Sequence, residues 1–128
     1  MNGGYVENNP VVWFEIPVAD MDRAKAFYGA VFDVKLDVTE MGDSVMAWFP
    51  MDQNTPGAAG ALIKDEEYVP STEGALVYFG VESIEEALKN VVSNGGEQLL
   101  AKTSIGEHGF IGRFLDTEGN QVALHSRT

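Results

Sequence analysis

Side chains able to move a proton near neutral pH are scarce in this sequence. Its 128 residues hold no cysteine and two histidines, His108 and His125. The lack of cysteine excludes disulfides, thiolate nucleophiles and zinc–sulfur sites, and agrees with a cytoplasmic location. His125 ends the apolar stretch "NQVALHS", Asn120 to Ser126. An imidazole there is a candidate general base or hydrogen-bond donor, and the plainer expectation is a strand-end histidine bonded to backbone or water. His108 sits in the glycine-flanked "GEHGF", a place for a lid residue or simply a solvated one. Glu15 interrupts the apolar "VVWFEIP". Buried, it would be a second candidate acid or base; equally, it could form a structural ion pair with Arg113 or Lys64. Trp13, Trp48 and Tyr78 could wall a pocket for a planar or cationic ligand, or pack in the core or a dimer interface. Asp65, Glu66 and Glu67 are adjacent, so their side chains diverge in an extended chain and make a solvated run rather than a metal site.

Periodicity gives the elements that must position these side chains. "VVWFEIP" is β-prone and stops at Pro17. Asp20 is a suitable N-cap for a helix burying Met21, Ala24, Phe27, Tyr28 and Val31, and "DVKLDV" reads as the next strand. "ALVYFG" is a second β-prone run, after which Ser83 and Glu86 form a capping box. Ile84, Ala87, Leu88, Val91 and Val92 stripe the second helix. Gly95-Gly96 stops that helix, and because the pair follows a helix instead of preceding one it is no phosphate loop. Trp13 and Leu76 stand 63 residues apart, as do Val18 and Val81, Met21 and Ile84, Ala24 and Ala87, and Leu36 and Leu99. A strand–helix–strand unit is therefore used twice.

Each copy continues with strands. "SVMAWFPM" and "GALIK" flank "DQNTPGAAG", while "GFIGRFL" and "NQVALHS" flank the turn "DTEG", where Gly119 and Asn120 make a tight turn without chemistry. The polar "KDEEYVPSTEG" links the copies. The expected class is α+β, with a first βαβββ module over 9–64 and a second over 75–127, together one domain over 1–128. A half of this size buries too little surface alone. Two curved mixed sheets should therefore each place one face on the helices and the other around a shared cavity.

Net charge is −12, from 20 acidic and 8 basic side chains, which repels phosphate backbones and argues against a nucleic-acid partner. No apolar run is long enough to span a bilayer, and "MNGGYVENNP" lacks the basic-then-apolar pattern of a secretory signal. A cytoplasmic protein with no membrane partner is the expectation.

The twice-used βαβββ unit, with "FEIPVADMDRAKAFY" in the first copy and "FLDTEGNQVALHS" closing the second, resembles the vicinal oxygen chelate superfamily. That group includes glyoxalase I, bleomycin-resistance proteins, fosfomycin-resistance enzymes and extradiol dioxygenases. The resemblance runs from about Asn9 to Arg127 and is nearest to glyoxalase-related members without an assigned reaction. It implies a cavity in which four strands each offer one ligand to a divalent ion. Those positions fall on Trp13, on Leu76, at or next to Ile63, and on Ala123, none of them a donor for such an ion, so no metal or other cofactor is expected. If Trp13 faces the cavity, alternation brings Val11, Glu15, Tyr78, Gly80, Gln121 and His125 to the same face.

The expected site thus has His125 and Glu15 as catalytic candidates, with Trp13, Tyr78, Gln121, Trp48, His108 and Arg113 as ligand-binding ones. The function implied is binding of a small organic molecule in a metal-free cavity, with proton transfer of lyase or isomerase type if the protein is an enzyme. The alternative is a non-catalytic protein that sequesters a cationic drug, of bleomycin-resistance type. The resemblance also implies a homodimer.

Overall fold

The computed structural model describes residues 9–128. Residues 1–8, part of the expected 1–128 domain and of the stretch read for a signal, lie outside the described residues. In chain order the elements are β1 (Trp13–Pro17), α1 (Met21–Phe32), β2 (Asp37–Met41), β3 (Ser44–Trp48), β4 (Ala59–Lys64), β5 (Tyr78–Gly80), α2 (Ile84–Ser93), β6 (Glu97–Ser104), β7 (Phe110–Leu115) and β8 (Gln121–Ser126). A short 3-10 turn, Gly106–His108, precedes β7. They form the two βαβββ modules expected, each with a four-stranded mixed sheet, ordered β1-β4-β3-β2 and β5-β8-β7-β6. The parallel pairs are β1/β4 and β5/β8. The two sheets are not hydrogen-bonded into one closed sheet. Among the described residues, no helix is long and apolar enough to cross a membrane.

Both helices start where the caps predict. The Asp20 carboxylate accepts from the Arg23 amide at 3.0 Å, and the Ser83 hydroxyl accepts from the Glu86 amide at 3.1 Å. The α1 stripe is buried as expected, from Met21 to Val31. In α2, Ile84, Ala87, Leu88 and Val91 are buried, but Val92 is 60% exposed. One residue past Val91 the helix has turned about 100°, so Val92 leaves the core face. Gly95 adopts φ 98°, and the Gly96 amide bonds the Val91 carbonyl at 2.9 Å, which ends the helix.

The strands are shorter than the apolar runs that announce them. β1 begins at Trp13, leaving Val11 and Val12 exposed, and β5 covers only Tyr78–Gly80, so Leu76 precedes it. β3 stops at Trp48, ahead of Pro50, which cannot donate to a ladder. The expected strand "DVKLDV" starts only at Asp37, because Asp33 closes α1 in the left-handed region (φ 52°) and Leu36 turns into the core.

One core runs between the sheets' helix-side faces and both helices, joining Ile16, Phe27, Tyr28 and Leu62 of the first module to Leu88, Phe114 and Leu124 of the second. Each such side chain contributes about 1.5–3 kcal/mol of burial. The Phe14 and Phe79 rings meet at 5.5 Å and Phe32 stacks on Phe79 at 4.4 Å, so β1 and β5 lie side by side on this face. Gly112 lets α2 settle on its sheet, since a Cβ there would lie 2.8 Å from Ile84 Cγ2.

Candidate functional site

Because Phe14 and Phe79 point to the helices, strand alternation turns Trp13, Glu15, Tyr78 and Gly80 to the opposite, open face. Pairing register then builds two rows across the sheets. Glu15, Ala61 and Trp48 are aligned in the first, and Tyr78, Ala123 and Arg113 in the second. The rows are equivalent by the internal repeat: the Val18 amide donates to the Ile63 carbonyl as the Val81 amide donates to the His125 carbonyl, both at 2.9 Å. This corrects one expected position. The first-module residue equivalent to Ala123 is Ala61, whereas Ile63, two residues along the same face, matches His125.

The donor set at the positions implied for a divalent ion is an indole, methyl groups and aliphatic side chains. Such groups do not fit a hard cation. Among the described residues there is also no group of three or more His, Cys, Asp or Glu side chains placed to hold a metal.

On the first sheet, Trp13 and Trp48 meet edge to face at 5.1 Å and pack with Met46, Ala61 and Ile63. The Trp13 Nε1 donates to Glu15 Oε2 at 3.3 Å, while the Trp48 Nε1 is buried without an acceptor among the described residues. Glu15 is exposed, contrary to the burial considered for it, and it forms no ion pair with Arg113 or Lys64 among the described residues. Its row neighbour is the small Ala61, whose methyl cannot cover a carboxylate, so Glu15 stays solvated.

On the second sheet, Arg113 Nη1 donates to Gln121 Oε1 at 2.5 Å, and Gln121 Nε2 donates to the Thr72 carbonyl at 3.3 Å. Tyr78 is 49% exposed. His125 lies across from Gly80 and Ile111, and its Nε2 is 2.7 Å from the His108 carbonyl. A carbonyl only accepts, so Nε2 carries the hydrogen and Nδ1 is the one nitrogen left to take a proton. The strand-end bonding to backbone considered for His125 therefore holds for half of its ring. His108 contributes that carbonyl; its own imidazole is exposed, 3.9 Å from Glu107.

The shared cavity expected on this face is bounded by two sheets that are not closed on one another, and Glu15 and Tyr78 are exposed on it. The large cleft, with a cavity volume of about 1220 Å³, lies on the helix side, between β5, α2 and the β3–β4 connection. Of the expected site residues, only Tyr78 borders it.

The family model of the Glyoxalase/Bleomycin resistance protein/Dioxygenase superfamily matches residues 11–124. The chain belongs to this superfamily. A glyoxylase-like domain-containing protein of Didymella fabae is 33% identical over 119 residues, covering 88% of this chain and 90% of that one. Glyoxalase I from Zea mays shares the fold at a TM-score of 0.69 and 19% identity, over 92% of this chain and 46% of that one, so this chain spans about half the maize enzyme's length. A glyoxylase/bleomycin resistance protein/dioxygenase domain from Frankia sp. EAN1pec superposes at 0.72, with 15% identity, over 94% of this chain and 98% of that one. The fosfomycin resistance protein FosX from Listeria monocytogenes does so at 0.66, with 17% identity, over 96% and 94%.

One constellation in this superfamily member escapes sequence reasoning. The β7–β8 turn locks into the start of α1: buried Asp116 accepts from the Tyr28 hydroxyl at 2.6 Å, and Glu118 accepts from Arg23 Nε at 2.7 Å. Asn120 Nδ2 donates to the Pro17 carbonyl at 2.8 Å. Burial first, then the Asp116 charge and hydrogen bond, push the Tyr28 phenol well above its ordinary range. Gly119, at φ 95°, makes the tight turn expected, but buried Asn120 does more than turn the chain. The acid-rich "DTEGN" was the available signal; its partners lie 88 to 103 residues away.

Proposed function

We propose that this superfamily member binds a small organic molecule on its open face, with no divalent metal taking part. The observation that carries this reading is the pair of alanine-centred rows. Ala61 lies between Glu15 and Trp48, and Ala123 between Tyr78 and Arg113; both alanines are buried, so the larger side chains flanking them present polar and aromatic groups on this face. Trp13 and Trp48 beside the Glu15 carboxylate suit a planar or cationic group. Tyr78 and Arg113 offer donors suited to an acceptor or anionic group. The net charge of −12 favours the approach of cations.

With these side chains alone, a developing enolate would rest on hydrogen bonds, so retention of the ligand is favoured over its turnover. Bleomycin resistance in the name of the superfamily accords with such a role. A second reading, proton transfer of lyase or isomerase type, is favoured by one observation: His125 Nδ1 is left to take a proton.

Tryptophan fluorescence tests the proposal. Titration with planar organic cations should give saturable quenching that Trp13→Phe weakens, with mass spectrometry showing the ligand unchanged. Elemental analysis of protein purified without chelator should show no stoichiometric zinc, nickel, iron or manganese. One equivalent of any of these, or quenching indifferent to Trp13→Phe, would overturn it.

A further inference from the structure

Equivalent notches of the two modules are treated differently. The notch between β1 and α1 is filled by the β7–β8 turn through Asn120–Pro17, Glu118–Arg23 and Asp116–Tyr28. Counting back from the equivalent Ile63 and His125, Asn120 corresponds to Ala58. The helix repeat makes Arg23 equivalent to Glu86 and Tyr28 equivalent to Val91. Each lock thus loses a partner: an amide becomes a methyl, a cation becomes an acid, and a phenol becomes an isopropyl group. The β3–β4 connection remains exposed, and among the described residues the notch between β5 and α2 stays open as the cleft of about 1220 Å³.

We propose that this cleft is a second ligand site, selective for a small hydrophobic organic cation. Its floor is aromatic, with Phe14, Phe32 and Phe49 gathered around Phe79, on which Phe32 stacks at 4.4 Å. Among the described residues, the charged side chains on its rim are Asp33, Glu82 and Glu86, all exposed, and no lysine, arginine or histidine lines it. Lys35 and Lys89 are near in sequence but do not line it. Ring faces and carboxylates attract the same sign of charge, so an amine or quaternary ammonium on an apolar body is favoured while anions are turned away. Of the residues of the site proposed on the open face, only Tyr78 also borders the cleft; Trp13, Trp48, Glu15 and Arg113 do not.

The probe is benzyltrimethylammonium, compared with neutral neopentylbenzene and anionic phenylacetate, and read by amide shifts in two-dimensional NMR of the full chain. The cation should shift Gly57, Gly80 and Ala87 saturably, and phenylacetate should not. Glu82→Gln with Glu86→Gln should weaken the cation by about two- to tenfold, from exposed charge pairs of the usual strength, and leave neopentylbenzene unchanged. Glu66→Gln with Glu67→Gln, which removes equal charge elsewhere, should have no such effect. Ala58→Leu, at an exposed position, should occlude the cleft without disturbing the core. Shifts confined to the Trp13 and Trp48 face would overturn the proposal, as would equal losses in both double variants. Cleft amides that respond to protein concentration and not to the probe would also overturn it, marking a contact between copies. Tryptophan quenching, which reports the open face, can fail or succeed without altering these outcomes.

Discussion

Replacing Glu118 with glutamine tests how the second module is clamped to the first. Glu118 Oε1 accepts from the Ala19 and Asp20 amides at 2.9 and 2.8 Å, and the two carboxylate oxygens accept from Arg23 at 2.7 and 3.0 Å. Burial by itself would raise this carboxyl. The hydrogen bonds from Arg23, the Asp20 amide, Thr117 and the Ala19 amide together outweigh it and hold the group at about 2. A carboxyl lowered by folding adds stability above its ordinary value of 4.5, and that stability is lost as pH falls toward about 2. The whole interval corresponds to about 3 kcal/mol. Arg23 is 51% exposed, so solvent screening reduces the contribution to about 1–2 kcal/mol. Glu118→Gln should therefore lower Tm at pH 7 by about 3–8 °C. The gap to the parent protein should narrow below pH ~4.5 and nearly close by pH ~2. Thermal unfolding followed by near-ultraviolet circular dichroism between pH 7 and pH ~2.5 reads both effects. Equal Tm values at pH 7, or a gap unchanged down to the lowest pH, would refute the clamp.

Other outcomes follow from the open face and the exposed β-edges. The chain should sediment as a homodimer, since Val38 and Met41 on edge strand β2 and Leu99 on edge strand β6 leave apolar surface uncovered and two-fold pairing is its commonest resolution; a concentration-independent mass of 13.9 kDa would contradict this. His125→Gln keeps a donor for the His108 carbonyl, so urea unfolding should change by less than about 1 kcal/mol, and quenching of Trp13 should persist. Any proton-transfer turnover should disappear in the same variant. His125→Ala should cost about 1–2 kcal/mol, because that carbonyl then loses its donor.

The modules were legible because their signals are local. A cap residue reports on amides two or three positions away, and the α1 stripe from Met21 to Val31 records a period of 3.6 residues within one element. The repeat of 63 residues carried the same logic from one helix to the other. Errors gathered where a local pattern continued past the structure that uses it. Val92 is apolar and adjacent to the stripe, and Leu76 is apolar and two residues before β5, yet neither packs as the pattern suggests. Apolar character alone cannot say where tertiary contact ends.

The site divides along the same line. Which residues share the open face followed from alternation, so Trp13, Glu15, Tyr78, Gln121 and His125 needed only a parity and one anchor. How the face is used depends on register between strands, which alternation does not give. The rows Glu15–Ala61–Trp48 and Tyr78–Ala123–Arg113 join residues from three strands each, and a two-residue slip separates Ala61 from Ile63. The clamp and the cleft were further out of reach, because both are differences between modules that the repeat presents as alike. Arg23 against Glu86, Tyr28 against Val91 and Asn120 against Ala58 look like ordinary surface and core drift in sequence. Only when the β7–β8 turn is seen lodged beside α1, with no counterpart beside α2 among the described residues, do those three substitutions become one event. A polar lock stabilises the first notch, and among the described residues no such lock closes the second.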